Sequence, residues 1–322
     1  MSIHPRRKGP STLVLLIWGL NIIGVLAVLT VFIIYLSRQS ALASPLGTPV
    51  ASAFPTVTPF PTRYNLPTVT PNPSSTEIVV SSPTPFILLN GPDPIVIGFS
   101  VSKRPIEVYA FGNGSKHRMI VAGIHGGYES NTIALADQLI LYLNEHPEAV
   151  PKGVTLYILR NMNPDGDARD HGIDGRVNDH GVDLNRNFPV NWSATWDRSG
   201  CFDQAPTTSG DVPASEPETR AVINFLATRR IDALISYHSA ALGVFPGGNP
   251  WESASIRLAQ KIADVSPYPY PPIETGCVYN GTLADYAISL GISAVDLELS
   301  NHTSTEFSTN LRVLKVLLEF TK

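Results

Sequence analysis

The sequence predicts an α/β domain with a mixed, mostly parallel central sheet flanked by helices. One transmembrane helix and a disordered stalk precede it. Three observations carry this prediction. Short β-branched apolar runs alternate with stretches of helical apolar spacing across 95–322. A run of 24 residues, 13–36, holds no charge. Twelve prolines fall between Pro45 and Pro94, and proline removes donors and fixes φ, so no sheet or helix forms there.

The ends of the chain divide accordingly. Residues 1–12 hold Arg6, Arg7 and Lys8 and form a cytoplasmic tail under the positive-inside rule. At about 1.5 Å per residue, the span 13–36 exceeds the ~30 Å hydrocarbon core, and it is expected to be an uncleaved signal anchor. Ala41-Leu42-Ala43 offers a rival, a signal-peptidase site after which the rest would be secreted. Residues 37–94 read as a Pro/Thr/Ser-rich stalk holding the folded domain, 95–322, off the outer membrane face.

Composition bounds the function. Of 322 residues, 43% are apolar and 16% charged, enough for a sizeable core. A net charge of −4 gives no basic footprint, so nucleic acid is not an expected partner. Cys201 and Cys277 are too few for a disulfide scaffold; export would allow one bridge, and otherwise they are inert thiols.

Within 95–322 the elements follow in order. Residues 106–111 alternate and predict a strand, and 118–124 predict a buried one. Residues 131–145 place Ile133, Leu135, Leu139, Ile140 and Leu143 at helical spacing. Residues 154–159 are a strand, and Asn163-Pro164-Asp165-Gly166 is a turn. From there to about residue 214 periodicity is lost, and long irregular regions in compact domains are usually functional. Ser215 with Glu218 three residues on reads as a capping box for a helix reaching about 229. A strand over 231–237 ends at His238. A helix over 254–265, another opening at 281–288, a strand over 294–299 carrying Glu298, and a closing helix marked by Leu311, Leu314, Leu317 and Leu318 complete the pattern.

The chemistry gathers at strand ends. His125 and Glu129 follow one strand directly and His238 ends another, where open α/β sheets place their sites. Two His and one Glu leave a fourth tetrahedral position open, the ligand set of hydrolytic zinc. Between them lies Asp183-Leu184-Asn185-Arg186-Asn187-Phe188-Pro189. There Asp can orient a histidine, and the guanidinium fork matches a planar carboxylate. Solvated turns share such composition, but not this company.

The ordered set of motifs resembles the zinc carboxypeptidases of the carboxypeptidase A-like (funnelin) family. Its members here are the His125…Glu129 element, Asn163-Pro164-Asp165-Gly166, Arg176-Val177-Asn178, Gly181-Val182-Asp183-Leu184-Asn185-Arg186-Asn187-Phe188, Ser215-Glu216-Pro217-Glu218-Thr219, Ser236-Tyr237-His238-Ser239 and Leu297-Glu298-Leu299. The small size and the Gly98-Phe99-Ser100 to Arg104-Pro105-Ile106 opening look most like the bacterial murein tripeptide amidase and γ-D-glutamyl-diaminopimelate peptidase branch.

The resemblance implies one Zn2+ per chain, held by His125, Glu129 and His238, with Asp183 fixing the tautomer of His125. Glu298 would be the general base and Arg176 the stabiliser of the oxyanion. Asn185 and Arg186 would bind the substrate's free carboxylate, and Tyr279 would be the family's mobile tyrosine. The implied protein is a membrane-anchored, extracytoplasmic metallocarboxypeptidase, with cell-wall peptides among its candidate substrates. The family spaces its first two ligands His-x-x-Glu; here three residues, Gly126-Gly127-Tyr128, intervene, and the two glycines allow a bulge that aims Glu129 inward. Side-chain selectivity is expected from Leu283–Asp285, where Asp285 would face a basic group or support a helix start. Two other readings keep parts of the site: an N-acyl-amino-acid deacylase similar to the aspartoacylase-like relatives, and a non-catalytic peptide- or wall-binding module. No Gly-x-Ser-x-Gly elbow is present, which disfavours a serine hydrolase.

Overall fold

The computed structural model describes residues 86, 88, 91–240 and 242–322. The tail, the anchor and nearly all of the stalk lie outside the described residues. Among the described residues, no helix is long and apolar enough to cross a membrane. Phe86 and Leu88, inside the stretch assigned to the stalk, pack on the core; the Phe86 ring meets Tyr109 edge-on at 5.8 Å.

Among the described residues, seven strands form one sheet: β1 (Ile95–Phe99), β2 (Pro105–Gly112), β3 (Lys116–Val121), β4 (Val154–Leu159), β5 (Ile231–Ser239), β6 (Val244–Pro246) and β7 (Ser293–Leu299). Their spatial order is β1-β2-β4-β3-β5-β7-β6. The four strands β4, β3, β5 and β7 run parallel, whereas β1, β2 and β6 attach antiparallel at the two edges. The expectation of a mostly parallel sheet therefore holds for the inner strands, and the whole is evenly mixed. The inner strands are apolar on both faces because helices cover both.

Period-two alternation sorts the strand residues between two cores. Ile120, Leu156, Ile158, Ile235 and Leu297 face α1 (Ser130–Glu145), α4 (Ser253–Ala263) and α6 (Phe307–Glu319). Met119, Val121, Leu159, Leu234 and Ala294 face α3 (Pro217–Thr228) and α5 (Leu283–Ser289). Ser236 and His238 on β5, and Asp296 and Glu298 on β7, alternate onto this second face. Parallel register sets Ser236 opposite Asp296 and His238 opposite Glu298.

Two local readings change. Asn163-Pro164-Asp165-Gly166 opens the short helix α2 (Pro164–Arg169) instead of a plain turn, because Asn163 Oδ1 accepts from Gly166 N at 2.9 Å and Pro164 takes the first helical position. No capping box forms at Ser215. Pro217 starts α3 and Glu216 is the N-cap, without a side-chain cap bond. Glu218 turns away, accepting from Val101 N and from Asn178 Nδ2. At the far side Arg118, 3% exposed, donates to the carbonyls of Leu317 and Phe320 and pairs with Asp232, anchoring the end of α6 to β3.

Candidate active site

Beyond β3 the chain turns through Gly123 to His125 and then through a single 3-10 turn, Gly126–Glu129, into α1. Gly126 adopts φ +47°, and a Cβ there would lie 2.7 Å from Gly175 O and 2.9 Å from Asn163 O. A Cβ on Gly127 would meet Asp170 O at 2.0 Å. Both glycines thus let the turn press against α2 and the turn after it, and this absorbs the additional residue. Glu129 returns to its partner, with Oε1 2.7 Å from His125 Nδ1.

His238 arrives from β5, and its Nδ1 lies 3.4 Å from Glu129 Oε2. Donor atoms of His125, Glu129 and His238 all fall within 4.8 Å of one another, and all three residues are buried. Glu129 Oε2 has no hydrogen-bond partner, and a buried carboxylate oxygen left unmatched is costly. Both imidazoles turn Nδ1 inward and hold Nε2 elsewhere: His125 Nε2 is 3.2 Å from Asp183 Oδ1, and His238 Nε2 is 3.1 Å from Ser236 Oγ. Two imidazole nitrogens and a carboxylate, converging with their outer atoms tethered, fit a tetrahedral zinc ion.

Asp183 links the trio to Arg176. Its Oδ2 accepts from Arg176 Nε at 3.1 Å and Nη2 at 2.9 Å. Burial pushes the Asp183 carboxyl up, but Arg176 and His125 hold it well below the usual range. Arg176 Nη1 is left 3.7 Å from Glu129 Oε1, on the edge of the metal group. Asn185 Oδ1 accepts from Leu283 N, which leaves Nδ2 3.5 Å from His238 Nε2. Arg186 is 4% exposed and its Nε has no partner. Its Nη1 donates to its neighbour's carbonyl, Asn185 O, and its Nη2 reaches only Cys277 Sγ, at 3.8 Å. Burial depresses the pKa of this guanidinium, yet an arginine stays charged. Tyr279, 41% exposed, lies over Arg186, with the guanidinium carbon 5.3 Å from its ring centre.

Glu298 faces the trio from β7. Burial, with Glu129 and Asp296 adding to it, raises its pKa to about 8 against the pull of His238 and Arg176. Its Oε2 is also without a partner. The predicted residues therefore gather around one chamber, where Glu129 Oε2, Arg186 Nε and Glu298 Oε2 are left without hydrogen-bond partners.

Cys201 and Cys277 are bonded, the one bridge that export would allow, and they join the irregular loop before α3 to the loop that carries Tyr279. Two features escaped the sequence reading. Asn178, Glu216, Glu218 and His180 form one hydrogen-bonded group, where the sequence marked Glu218 only as the acidic end of a capping box. Asp296 shares the face of Glu298, and the i, i+2 spacing on a strand was its signal.

The turn after His125 is directly testable. Gly126→Ala should lower stability by about 1–3 kcal/mol and weaken zinc binding, because the added methyl displaces the segment between the ligands. Gly181→Ala, with φ +74° but open space around it, should be strained and keep its metal. Thermal unfolding with and without chelator separates the two; equal zinc retention would show that the turn tolerates the methyl.

The zinc carboxypeptidase family model matches residues 93–314. Murein peptide amidase A of Escherichia coli (strain K12) is 30% identical over 131 residues, covering 37% of this chain and 48% of that protein. Mast cell carboxypeptidase A of Rattus norvegicus is 33% identical over 134 residues, covering 34% and 30%. The matched stretch is thus less than half the length of either relative. Among solved structures, murein-tripeptide amidase from Escherichia coli O157 superposes with TM-score 0.52 at 20% identity, over 72% of this chain and 93% of that one. Bovine thrombin-activatable fibrinolysis inhibitor, in complex with tick carboxypeptidase inhibitor, gives 0.56 at 21%, over 71% and 90%. At these identities the structural likeness is one of fold.

Proposed function

We propose, from the premise that this chain belongs to the zinc carboxypeptidase family, that it hydrolyses a peptide bond next to a free carboxylate. The observation that carries the reading is Arg186. A guanidinium that is 4% exposed, with Nε unpartnered, is a buried charge awaiting an anion. Beside it stand a zinc-capable trio and a carboxyl of raised pKa.

Zinc, when bound, supplies Lewis-acid activation of water and polarisation of the carbonyl. The chain's own residues do the rest. Arg186 and Asn185 Nδ2 receive the substrate carboxylate and so fix the register of the scissile bond. Arg176 Nη1 stabilises negative charge developing on the carbonyl oxygen. Glu298 takes the proton of the attacking water and returns it to the leaving amine. Tyr279 covers the bound carboxylate from the solvent side.

We extend the reading to place: a single-pass protein with its catalytic domain, 95–322, outside the cytoplasm on the stalk 37–94. Support comes from the uncharged run 13–36 behind Arg6, Arg7 and Lys8, and from the Cys201–Cys277 bridge, which suits an oxidising compartment. Short cell-wall peptides are the substrates we favour, since a murein peptide amidase is among the similar proteins.

The test uses the full chain, zinc content measured, on N-acyl dipeptides with a free C-terminus and on the same dipeptides amidated there. Cleavage of the free acids, lost on amidation, is the expected result. Equal cleavage of both would remove Arg186 from its role. Zinc without cleavage of any peptide, but with release of acyl groups from N-acyl amino acids, would replace the peptidase with a deacylase.

A further inference from the structure

Strand β7 brings a second carboxylate into the chamber. Asp296 lies two residues before Glu298, on the same face, opposite Ser236 on β5 and Phe245 on β6. Its Oδ1 is buried without a hydrogen-bond partner. Its single ion-pair contact among the described residues is His238 Nε2, at 3.6 Å. That distance is too long for a hydrogen bond, and the same nitrogen already has Ser236 Oγ at 3.1 Å. The Asp296 side chain remains 17% exposed, so it opens on the chamber and is not sealed in the core.

The chamber therefore holds two groups of opposite charge, each with a polar atom that lacks a hydrogen-bond partner: Arg186 at Nε, deeply buried, and Asp296 at Oδ1. Glu298 lies two residues further along β7, paired in register with His238 on β5. A small ligand that satisfies both carries a carboxylate at one end and a cation at the other. Between them Phe245 and Tyr279, with ring centres 5.6 Å apart, offer apolar surface for a methylene stem.

Asp285, the position to which the family resemblance points, is already engaged. It sits in the first turn of α5 and its Oδ1 accepts from Gly248 N at 2.8 Å. It adds to the negative field without offering that oxygen.

We propose that Asp296 is the residue that sets side-chain specificity, selecting a terminal residue whose side chain ends in a primary amine. Lysine, ornithine and the distal amine of a diamino acid share this chemistry. The proposal rests on the carboxypeptidase reading, in which Arg186 takes the α-carboxylate.

The rival is that Asp296 only steadies His238, and one experiment separates them. The zinc-loaded full chain and its Asp296→Asn variant are compared in kcat/KM for N-acyl dipeptides ending in lysine or in norleucine. Binding of free lysine and free norleucine is measured by calorimetry alongside. The preference for lysine over norleucine should drop roughly 10–100-fold in the variant, the worth of a charged hydrogen bond, in both turnover and binding, with zinc retained. Asp285→Asn should leave that ratio in place. An equal fall for both substrates with weaker zinc binding would make Asp296 a support for His238 and overturn the proposal, as would a wild-type protein that binds the two amino acids alike. If no dipeptide is cleaved but lysine binding is preferred and depends on Asp296, the peptidase reading fails and the proposal stands.

Discussion

Replacing Glu298 with glutamine should cut kcat by about 10²–10⁴-fold, the usual worth of positioned general acid–base catalysis, and leave the metal bound. Glu298 is not among the converging zinc donors, so its amide keeps the site's shape and removes only proton transfer. The pH profile gives a second signature. In the metal-free chamber burial lifts the Glu298 pKa to about 8, and a bound cation pulls it down. The acid limb of kcat/KM should therefore lie below that value and vanish in the variant. Stability moves the other way. A carboxyl whose folded pKa is raised contributes stability when protonated, below its unfolded pKa near 4.5. That contribution is lost as pH rises through about 8. The metal-free wild type should thus lose stability across this window relative to Glu298→Gln, as thermal unfolding at several pH values would record. A variant with normal kcat and an unchanged acid limb would move the base elsewhere.

Glu129→Ala should abolish zinc binding, and with it activity, by more than the roughly 10–100-fold that loss of an outer partner costs. The reason is position. Glu129 is 2% exposed and its two oxygens lie 2.7 Å from His125 Nδ1 and 3.4 Å from His238 Nδ1. Without it, two imidazoles remain, too few for a tetrahedral site. The variant should also be less stable without metal, because burial is outweighed by His125 and His238 in holding this carboxyl ionised, and breaking a buried pair costs about 3–5 kcal/mol. Circular dichroism must therefore accompany the metal assay. A folded variant holding one equivalent of zinc with unchanged affinity would mean that the three-residue spacing after His125 has displaced Glu129 from the ligand set.

Much of this was readable in the chain because the physics was local. The inner strands and α1 follow from apolar periodicity, and the site residues lie where those strands end. What was not readable depended on distant partners. Strand β6 has three residues, one of them a proline, and exists only because Val244, Phe245 and Pro246 meet Leu297, Asp296 and Val295. Strand β1 is an edge with Gly98 at an irregular register against β2, and its sequence alone marked only where the domain begins. Glu218 read as the acidic end of a capping box, yet Asn178 and His180, far along the sequence, draw it and Glu216 into one hydrogen-bonded group. Asp296 could have been found by counting alternate positions back from Glu298; what alternation does not reveal is that its oxygen goes unmatched.

The Cys201–Cys277 bond spans 76 residues of sequence, and parts of the loops before α3 and after α4 fall within that span. Exposed loop tips are the places where foreign proteases cut. A backbone break between the two cysteines would leave both fragments in one covalent molecule, joined across the rim they shape. The damage would appear as two pieces only after reduction. Such a clasp lets a wounded molecule keep its parts.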